Sequence, residues 1–370
     1  VKTEWLIRNS NNIKILKNTL VAAYNFSDHL IALEDKNVGK PQDNEKPELV
    51  LHKIRTKHAI LANGHIERFI TFRNNDLPGV MLAASFEKYL NRYGVIPDES
   101  PVIFTNNSST FSLLKSLTDL GHKPKAYIDI RDQKNIEKET VDLLEKFNIP
   151  FYPKSEVEGC EGQKEVKKVS IRTKKNQITK IKTSMLCLSG GFNPDIHLFT
   201  QSKGLLSWDK DLLTFKPDRI FQNTITLGSV SGNFSYEKLL VEVEKKLSEF
   251  EGLNELEVKF ELNGPEKFQI KELWETKHEK KSLWSKSFID LQNDVTTKDL
   301  KQAVSEGFNR IEHLKRFTTN SMGTDQGKIS SINALGIVSK ILKKDISEVG
   351  TTTYRPPYSP VNFSAIAGRS

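Results

Sequence analysis

The sequence predicts an α/β protein in which a dinucleotide-type βαβ unit, set among short strands, is followed by a small helical domain. Three observations carry this. Residues 102–132 read as strand, hydroxyl-rich helix and strand. Apolar stretches at 58–62, 185–188 and 224–227 each stop on small residues, as the strands of an open α/β sheet do at a ligand crevice. From residue 294 the apolar positions change to helical spacing.

In chain order, residues 13–35 give apolar runs (Ile13, Ile15, Leu16; Leu20 to Tyr24; Leu30 to Leu33) separated by turn residues, the pattern of a strand meander. The polar loop KNVGKPQDNEKPE leads to two more strands, the second being HAILA, which ends on Asn63 and Gly64. A Pro-Gly turn opens a helix expected over 81–93, with Leu82, Phe86 and Leu90 on one face. VIF is then a strand, SSTFSLLKSLTDLG a helix with hydroxyl caps closed by Gly121, and AYIDI a strand with Asp129 and Asp132 near its end. The turn between the first strand and the helix reads TNNSST. It lacks the glycines that let backbone approach a pyrophosphate, so the shape of the unit persists with a degenerate phosphate loop.

A hairpin at 166–182 precedes the apolar strand 185–188 and Ser189, Gly190 and Gly191. TITLGSVSGNFSYEKLLVEVEKKLSEF gives strand, Gly-rich turn and helix, and the first turn of that helix suits an anion or a flavin edge. Residues 250–286, rich in Lys and Glu and containing Trp274 and Trp284, read as a connector. Thr296 or Thr297 then caps a helix with Asp299 in its first turn, and Leu300, Val304, Ile311 and Leu314 share a face. A second helix covers 333–350, and TTTYRPPYSPVNF is an extended, proline-rich exit.

The 370 residues suffice for two or three domains, and 37% hydrophobic with 28% charged residues is ordinary for a soluble globular chain. No apolar run approaches the roughly 18 residues of a membrane span, so no membrane partner is expected. Cys160 and Cys187 cannot build a disulfide framework and suit a reducing, cytoplasmic location; Cys187, inside an apolar strand, reads as a packed thiol. The net charge of +8 raises nucleic acid as a partner. The lysines come in pairs interleaved with acids, without aromatic residues spaced for base stacking, so no nucleic-acid binding is expected. Metal-type His/Cys spacing and a hydrolase-type nucleophile elbow are both missing. The chain starts at Val1 with strands already under way and ends at Ser370 without a tail, so it is expected to be a piece of a longer polypeptide.

One run reads as a site: KRFTTNSMGTDQGK, residues 315–328, with two cations, four hydroxyls and a closing lysine around only Phe317 and Met322. By composition alone it is a solvated loop between helices. Its density of donors also suits an anionic ligand.

Four stretches together carry a resemblance: ANGHIERFITFRNNDLPGVMLA with YLNRYGV; LSGGFNPDIHLFTQSKG with Trp208 and FKP; FIDLQNDVTTKDLKQAVSEGFNRIEHLKRFTTNSMGTDQGK; and GTTTYRPPYSPVNFSAIAG. They resemble the alpha subunits of heterotetrameric sarcosine oxidases, with their proline dehydrogenase and opine oxidase relatives, from about residue 5 to 368. The resemblance implies nested FAD/NAD(P)-binding-type dinucleotide domains followed by a small helical domain. Residues 1–93 and 186–249 would form the first, 94–185 the inserted second, 250–286 the connector, 287–350 the helical domain and 351–370 a linker. It also implies a Gly-rich unit before Val1 and a tetrahydrofolate-binding domain after Ser370. In that family a flavoprotein beta subunit carries FAD and oxidises the N-methyl amine. Electrons pass to FMN at the alpha–beta interface, where oxygen becomes peroxide; the alpha subunit also holds NAD, and two small subunits complete the complex. The implied reaction is oxidative demethylation of sarcosine to glycine with oxygen as acceptor, releasing formaldehyde or methylene-tetrahydrofolate. A non-catalytic scaffold and a related proline or opine dehydrogenase subunit are the alternatives. A self-sufficient reductase of the disulfide-reductase type would need a glycine fingerprint and a Cys pair that are not visible.

By the same resemblance Lys315, Arg316, Thr319, Thr324, Gln326, Lys328 and Arg355 form the alpha-side wall of the FMN site. Lys315 and Arg316 would meet the phosphate, Arg316 in a two-pronged bond. Thr319, Thr324 and Gln326 would donate hydrogen bonds, and Lys328 and Arg355 would add positive charge. His313 is left without a role. Asn63, Gly64, Gly190, Gly191 and Gly228 are the implied dinucleotide contacts. Asn63 stands where Thr is expected and Ser229 where related flavin domains place an acid, which suits NAD, or nothing, better than FAD. Some relatives hold a two-iron cluster through paired cysteines; the corresponding positions here are Asp290, Gln292, Asp325 and Ser330. Without thiolates the chain resembles the cluster-free branch, and no metal-binding or bond-making residue is expected.

Overall fold

The computed structural model describes residues 10–38, 49–248, 268–277 and 286–367. Most of the 36–48 loop and most of the connector, including Trp284, lie outside the described residues.

Five parallel strands form the central sheet, in the order Val80–Leu82, Leu186–Ser189, Val102–Thr105, Ala126–Asp129 and Phe151–Pro153. The three inner strands are buried at every position, so both faces must be covered. Ile103, Tyr127 and Cys187 point to one face, where helices Ala83–Tyr93, Thr110–Asp119 and Lys138–Lys146 bring Phe86, Leu90, Leu113, Leu117 and Leu144. Val102, Phe104, Ile128, Leu186 and Leu188 point to the other, against Val157, Cys160, Val169 and Ile171 of an antiparallel sheet (Glu156–Glu161, Lys168–Arg172, Ile178–Lys182). Burial pushes both thiols up, Cys160 to about 12, as packed sulfhydryls.

This sheet corrects two expectations. Met81 and Leu82 were expected to open a helix, but they pair with Cys187 and Leu188 in a parallel ladder, and the helix starts at Ala83. The boundaries expected after 93 and before 186 therefore cut through a hydrogen-bonded sheet; the inserted unit takes its outer strand from 80–82 and an inner one from 186–189. The expected hydroxyl cap at Ser109 is also missing. Its hydroxyl lies 3.0 Å from that of Ser189, while its N–H donates to Asn107 Oδ1 at 2.9 Å.

The flanking unit has the expected meander, Thr19–Asn25, His29–Asp35 and Leu49–Arg55, all antiparallel. Beside it Ala59–Leu61 and Thr224–Thr226 form a parallel pair, and His65–Glu67 pairs with Phe192–Pro194. Arg68 ties this unit to the sheet. Its guanidinium, 1% exposed, donates to Gly190 O at 2.7 Å and Asn193 Oδ1 at 2.8 Å and lies 5.0 Å from the Trp274 ring centre.

The helical domain packs Thr297–Ser305, Ile311–Thr318, Ser331–Leu342 and Ile346–Val349 around Leu300, Ile311, Leu314, Leu335 and Val338, with Trp274 in the same core. Thr296 caps as expected: its N–H and hydroxyl both donate to the Asp299 carboxylate, at 2.8 and 2.7 Å. Each of the two expected helices is broken, one at Gly307 (φ 94°) and the other at Lys343 (φ 54°), yet both halves keep their apolar face on one core.

Candidate cofactor sites

The structure divides the 315–328 run into two groups. The first faces outward. Glu312 accepts the Thr353 N–H at 2.8 Å, which draws the 351–355 segment beside the helix carrying Lys315 and Arg316. Lys315 is half-buried, and burial lowers its pKa; the positive charges of Arg355 and Arg316 act in the same direction, against Glu312. Arg316 and Arg355 are exposed, and Arg316 reaches Glu312 only at 3.8 Å. The Arg316 and Arg355 charges thus lie close enough to act on Lys315, with Glu312 the acid that opposes them. Such a group gains from an added anion, and a guanidinium pair with an ammonium suits a phosphate. Thr319 and Thr324 lie exposed nearby in the chain, their hydroxyls donating to Thr318 O (2.6 Å) and Gln292 Oε1 (3.2 Å). His313 is exposed on the same helix.

The second group turns inward, which corrects the expectation for Lys328 and Gln326. Lys328 Nζ donates to Tyr358 O at 2.7 Å and lies 3.6 Å from the centre of that ring. The Gln326 carbonyl accepts from His197 Nε2 at 3.3 Å. His197 and Asp195 are 4% exposed each, with Nδ1 and Oδ1 3.4 Å apart. Tyr358 donates its hydroxyl to the other Asp195 oxygen, and the Tyr354 ring lies 3.8 Å from that of His197. Burial would raise the Asp195 carboxyl, but the neighbouring His197, the hydroxyl of Tyr358 and the Lys328 charge together hold it below the usual carboxylate range. The sequence reading missed Asp195, His197, Tyr354 and Tyr358, although FNPDIHLF and TTTYRPPYSP already stood out as stretches.

The four positions that correspond to cluster cysteines do meet around one loop. Asp290 accepts the Ser321 N–H at 2.7 Å, Gln292 Oε1 accepts the Asp325 N–H at 3.3 Å, and the Ser330 and Ser321 hydroxyls are 3.0 Å apart. Hydrogen bonds hold this loop, and among the described residues no group of three His, Cys, Asp or Glu is placed to hold a metal.

The glycines also divide. Gly64 (φ 88°) and Gly228 (φ 80°) follow the parallel strands Ala59–Leu61 and Thr224–Thr226, in a left-handed backbone that favours glycine. A Cβ on Gly64 would stand 4.0 Å from the Ser229 hydroxyl, so the two turns face each other. Asn63 donates its side-chain N–H to Asp195 O, and the Asp195 N–H donates to Gly64 O at 3.0 Å. An acid does reach this crevice, from a helix and not from position 229: Glu242 accepts the Gly228 N–H at 3.2 Å. Gly190 and Gly191 serve packing. The Gly190 N–H donates to Arg68 O at 2.7 Å, a Cβ there would meet Phe69 O at 2.5 Å, and one on Gly191 would meet Ile270 at 2.5 Å. They were expected as cofactor contacts; the chain's own backbone and side chains fill the space beside them.

The crevice of the inserted unit is filled in the same way. The 268–271 segment crosses the carboxyl ends of its strands: Ser108 N–H donates to Gln269 O (3.1 Å), Lys271 N–H to Asn106 O (2.8 Å) and Lys271 Nζ to Ile130 O (3.0 Å). Asp129, where a dinucleotide unit would offer an acid to a ribose, is gripped by Arg131 through contacts of 2.8 to 3.2 Å. The residues present do not fit a bound dinucleotide here.

Comparison with known proteins agrees with this architecture. Residues 284–369 match the family model described as Sarcosine oxidase A3 domain. Sarcosine oxidase subunit alpha of Rhizobium meliloti is 32% identical over 379 residues, covering 98% of this chain and 36% of the relative. The chain is homologous to sarcosine oxidase alpha subunits. The corresponding subunit of a Corynebacterium species is 30% identical over 385 residues, covering 100% of the chain and 39% of the relative. The chain therefore spans just over a third of the length of these alpha subunits. The crystal structure of L-proline dehydrogenase from P. horikoshii aligns with 97% of the chain and 66% of its own, with a TM-score of 0.62 at 21% identity, which is a likeness of fold. The expected fold class stands: nested dinucleotide-type domains followed by a small helical domain. No helix among the described residues is long and apolar enough to cross a membrane.

Proposed function

We propose that this chain works within the alpha subunit of a sarcosine oxidase-type complex, which demethylates sarcosine oxidatively to glycine with oxygen as acceptor. In this reading Lys315, Arg316 and Arg355 bind the phosphate of FMN on the alpha side of an interface with a flavoprotein beta subunit that carries FAD. The observation that supports the site is the gathering of the Arg316 and Arg355 charges about the half-buried Lys315, with Glu312 as the acid that opposes them. Arg316 and Arg355 hold two phosphate oxygens each, and Lys315, already partly desolvated, contributes charge that water screens less. Bound there, FMN would take electrons from the partner's FAD and pass them to oxygen, giving peroxide. Thr319 and Thr324, whose hydroxyls donate to Thr318 O and Gln292 Oε1, would have to release those bonds to donate to the ligand, and Lys328 and Gln326 shape the wall from behind. NAD belongs in the crevice between Gly64 and Gly228 of the first unit. Two small subunits, and a tetrahydrofolate-binding domain outside these residues, complete the proposed assembly in the cytoplasm. The filled crevice of the inserted unit favours a scaffold role for that unit alone.

The test uses the complex assembled with its partner subunits. Lys315→Ala with Arg355→Ala should lower FMN content at least tenfold in released-flavin chromatography, with FAD and subunit stoichiometry unchanged. Unchanged FMN, or equal loss of both flavins, would count against the site.

A further inference from the structure

Asp195 joins the turn of Asn63 and Gly64 to the inward group of the 315–328 run. Its main chain holds the turn of Asn63 and Gly64, donating to Gly64 O at 3.0 Å and accepting from the Asn63 side chain. Its side chain faces the inward group behind the proposed flavin wall, where it meets Tyr358, lies close enough to Lys328 for their charges to interact, and stands 3.4 Å from His197. His197 continues the connection by donating to the Gln326 carbonyl at 3.3 Å. Gln326 (φ 55°) and Gly327 (φ 73°) hold left-handed backbone, so the path of this arm depends on the contacts that fix it. Asp195 Oδ1 and His197 Nδ1 are buried and have no hydrogen-bond partner. Their 3.4 Å separation is longer than a hydrogen bond and shorter than the reach of a charge contact. A displacement of a few tenths of an ångström would tighten or loosen that contact.

We propose that Asp195 and His197 form a latch through which a dinucleotide seated at Asn63 and Gly64 tightens the binding of FMN at the Lys315 wall. The inference rests on the reading of both sites given above. A ligand that shifts the Asn63 turn shifts the Asp195 main chain, and one residue carries that movement to the arm of Gln326 and Lys328. The dinucleotide thereby acquires a task that requires no hydride transfer. Coupling of this kind is reciprocal, so FMN tightens NAD+ by the same factor.

The test is FMN titration, by quenching of flavin fluorescence, into the assembled complex depleted of FMN, with and without saturating NAD+. In the wild type, NAD+ should tighten FMN at least about fivefold, the lower end of usual allosteric coupling. His197→Phe keeps a ring against Tyr354 but removes both nitrogens; each ligand should still bind it, with a coupling factor near one. FMN affinity that is the same with and without NAD+ in the wild type overturns the latch and leaves both sites standing. Full coupling in His197→Phe overturns it as well. If the wild-type complex binds neither NAD+ nor FMN, the underlying reading of the sites fails first.

Discussion

Glu67 sits at the inner end of its strand, 7% exposed, and accepts the Ala84 N–H at 2.8 Å where the Ala83–Tyr93 helix begins. Burial pushes its carboxyl up to about 7; Ser189 and the Ala84 N–H oppose the shift and Glu87 adds to it. The folded pKa lies above the unfolded one, so the fold binds the extra proton between about 4.5 and 7. Stability should therefore fall as pH rises through that window, by about 3 kcal/mol, and level off above it. Glu67→Gln should flatten the slope of the urea midpoint against pH; an unchanged slope would assign the effect elsewhere. Asp195 has the opposite sign, contributing stability above the usual carboxylate range and losing it as pH falls through its depressed pKa. At this scale the sequence shows which residues carry charge or glycine freedom, but not where they point. Lys328 was legible as a cation, while its partner Tyr358 lies 30 residues on. Gly64 and Gly190 read alike, yet the first bends a turn and the second admits a neighbouring carbonyl.

Gly336 shows the same limit within an element. It lies mid-helix, where glycine is unfavourable by about 1 kcal/mol relative to alanine, so propensity alone recommends replacing it. The Trp274 indole rests on it, however, and an added Cβ would come within 2.2 Å of the ring. Gly336→Ala should destabilise the protein by about 1–3 kcal/mol through overpacking, read from denaturant unfolding. A gain in stability would mean that the indole moves freely. The existence of the elements was largely legible, because alternation and helical spacing report which face is buried. Their ends were not. Met81 and Leu82 suit a helix by composition, and only the ladder to Cys187 and Leu188 makes them a strand. Gly307 was visible in the sequence, but the helical spacing of the apolar residues on either side hid the break it makes.

Across the whole molecule, two units of similar type have different crevices. In the first the turns of Gly64 and Gly228 face each other, and the inserted one is crossed by the connector. On adding NAD+ to the complex, hydrogen exchange should slow at residues 62–64 and 228–231 and stay unchanged at 106–109. Protection at 106–109 would show that the dinucleotide displaces the strap. The degenerate TNNSST turn announced the loss of a phosphate loop; what fills the space was illegible, since residues 268–271 carry no pattern that points to a turn 160 residues upstream. The strap also sets an order in time. It is made about 80 residues after Ser189, the last strand residue of the sheet it closes. At about 5–20 residues per second, a nascent chain carries that crevice open for roughly 4–16 s. Arg131 lies two residues from Asp129 and grips it through contacts that need no residue of the strap. The polar groups of Asn106 and Ser108 and the Ile130 carbonyl take partners from the connector, which is made after the sheet they belong to.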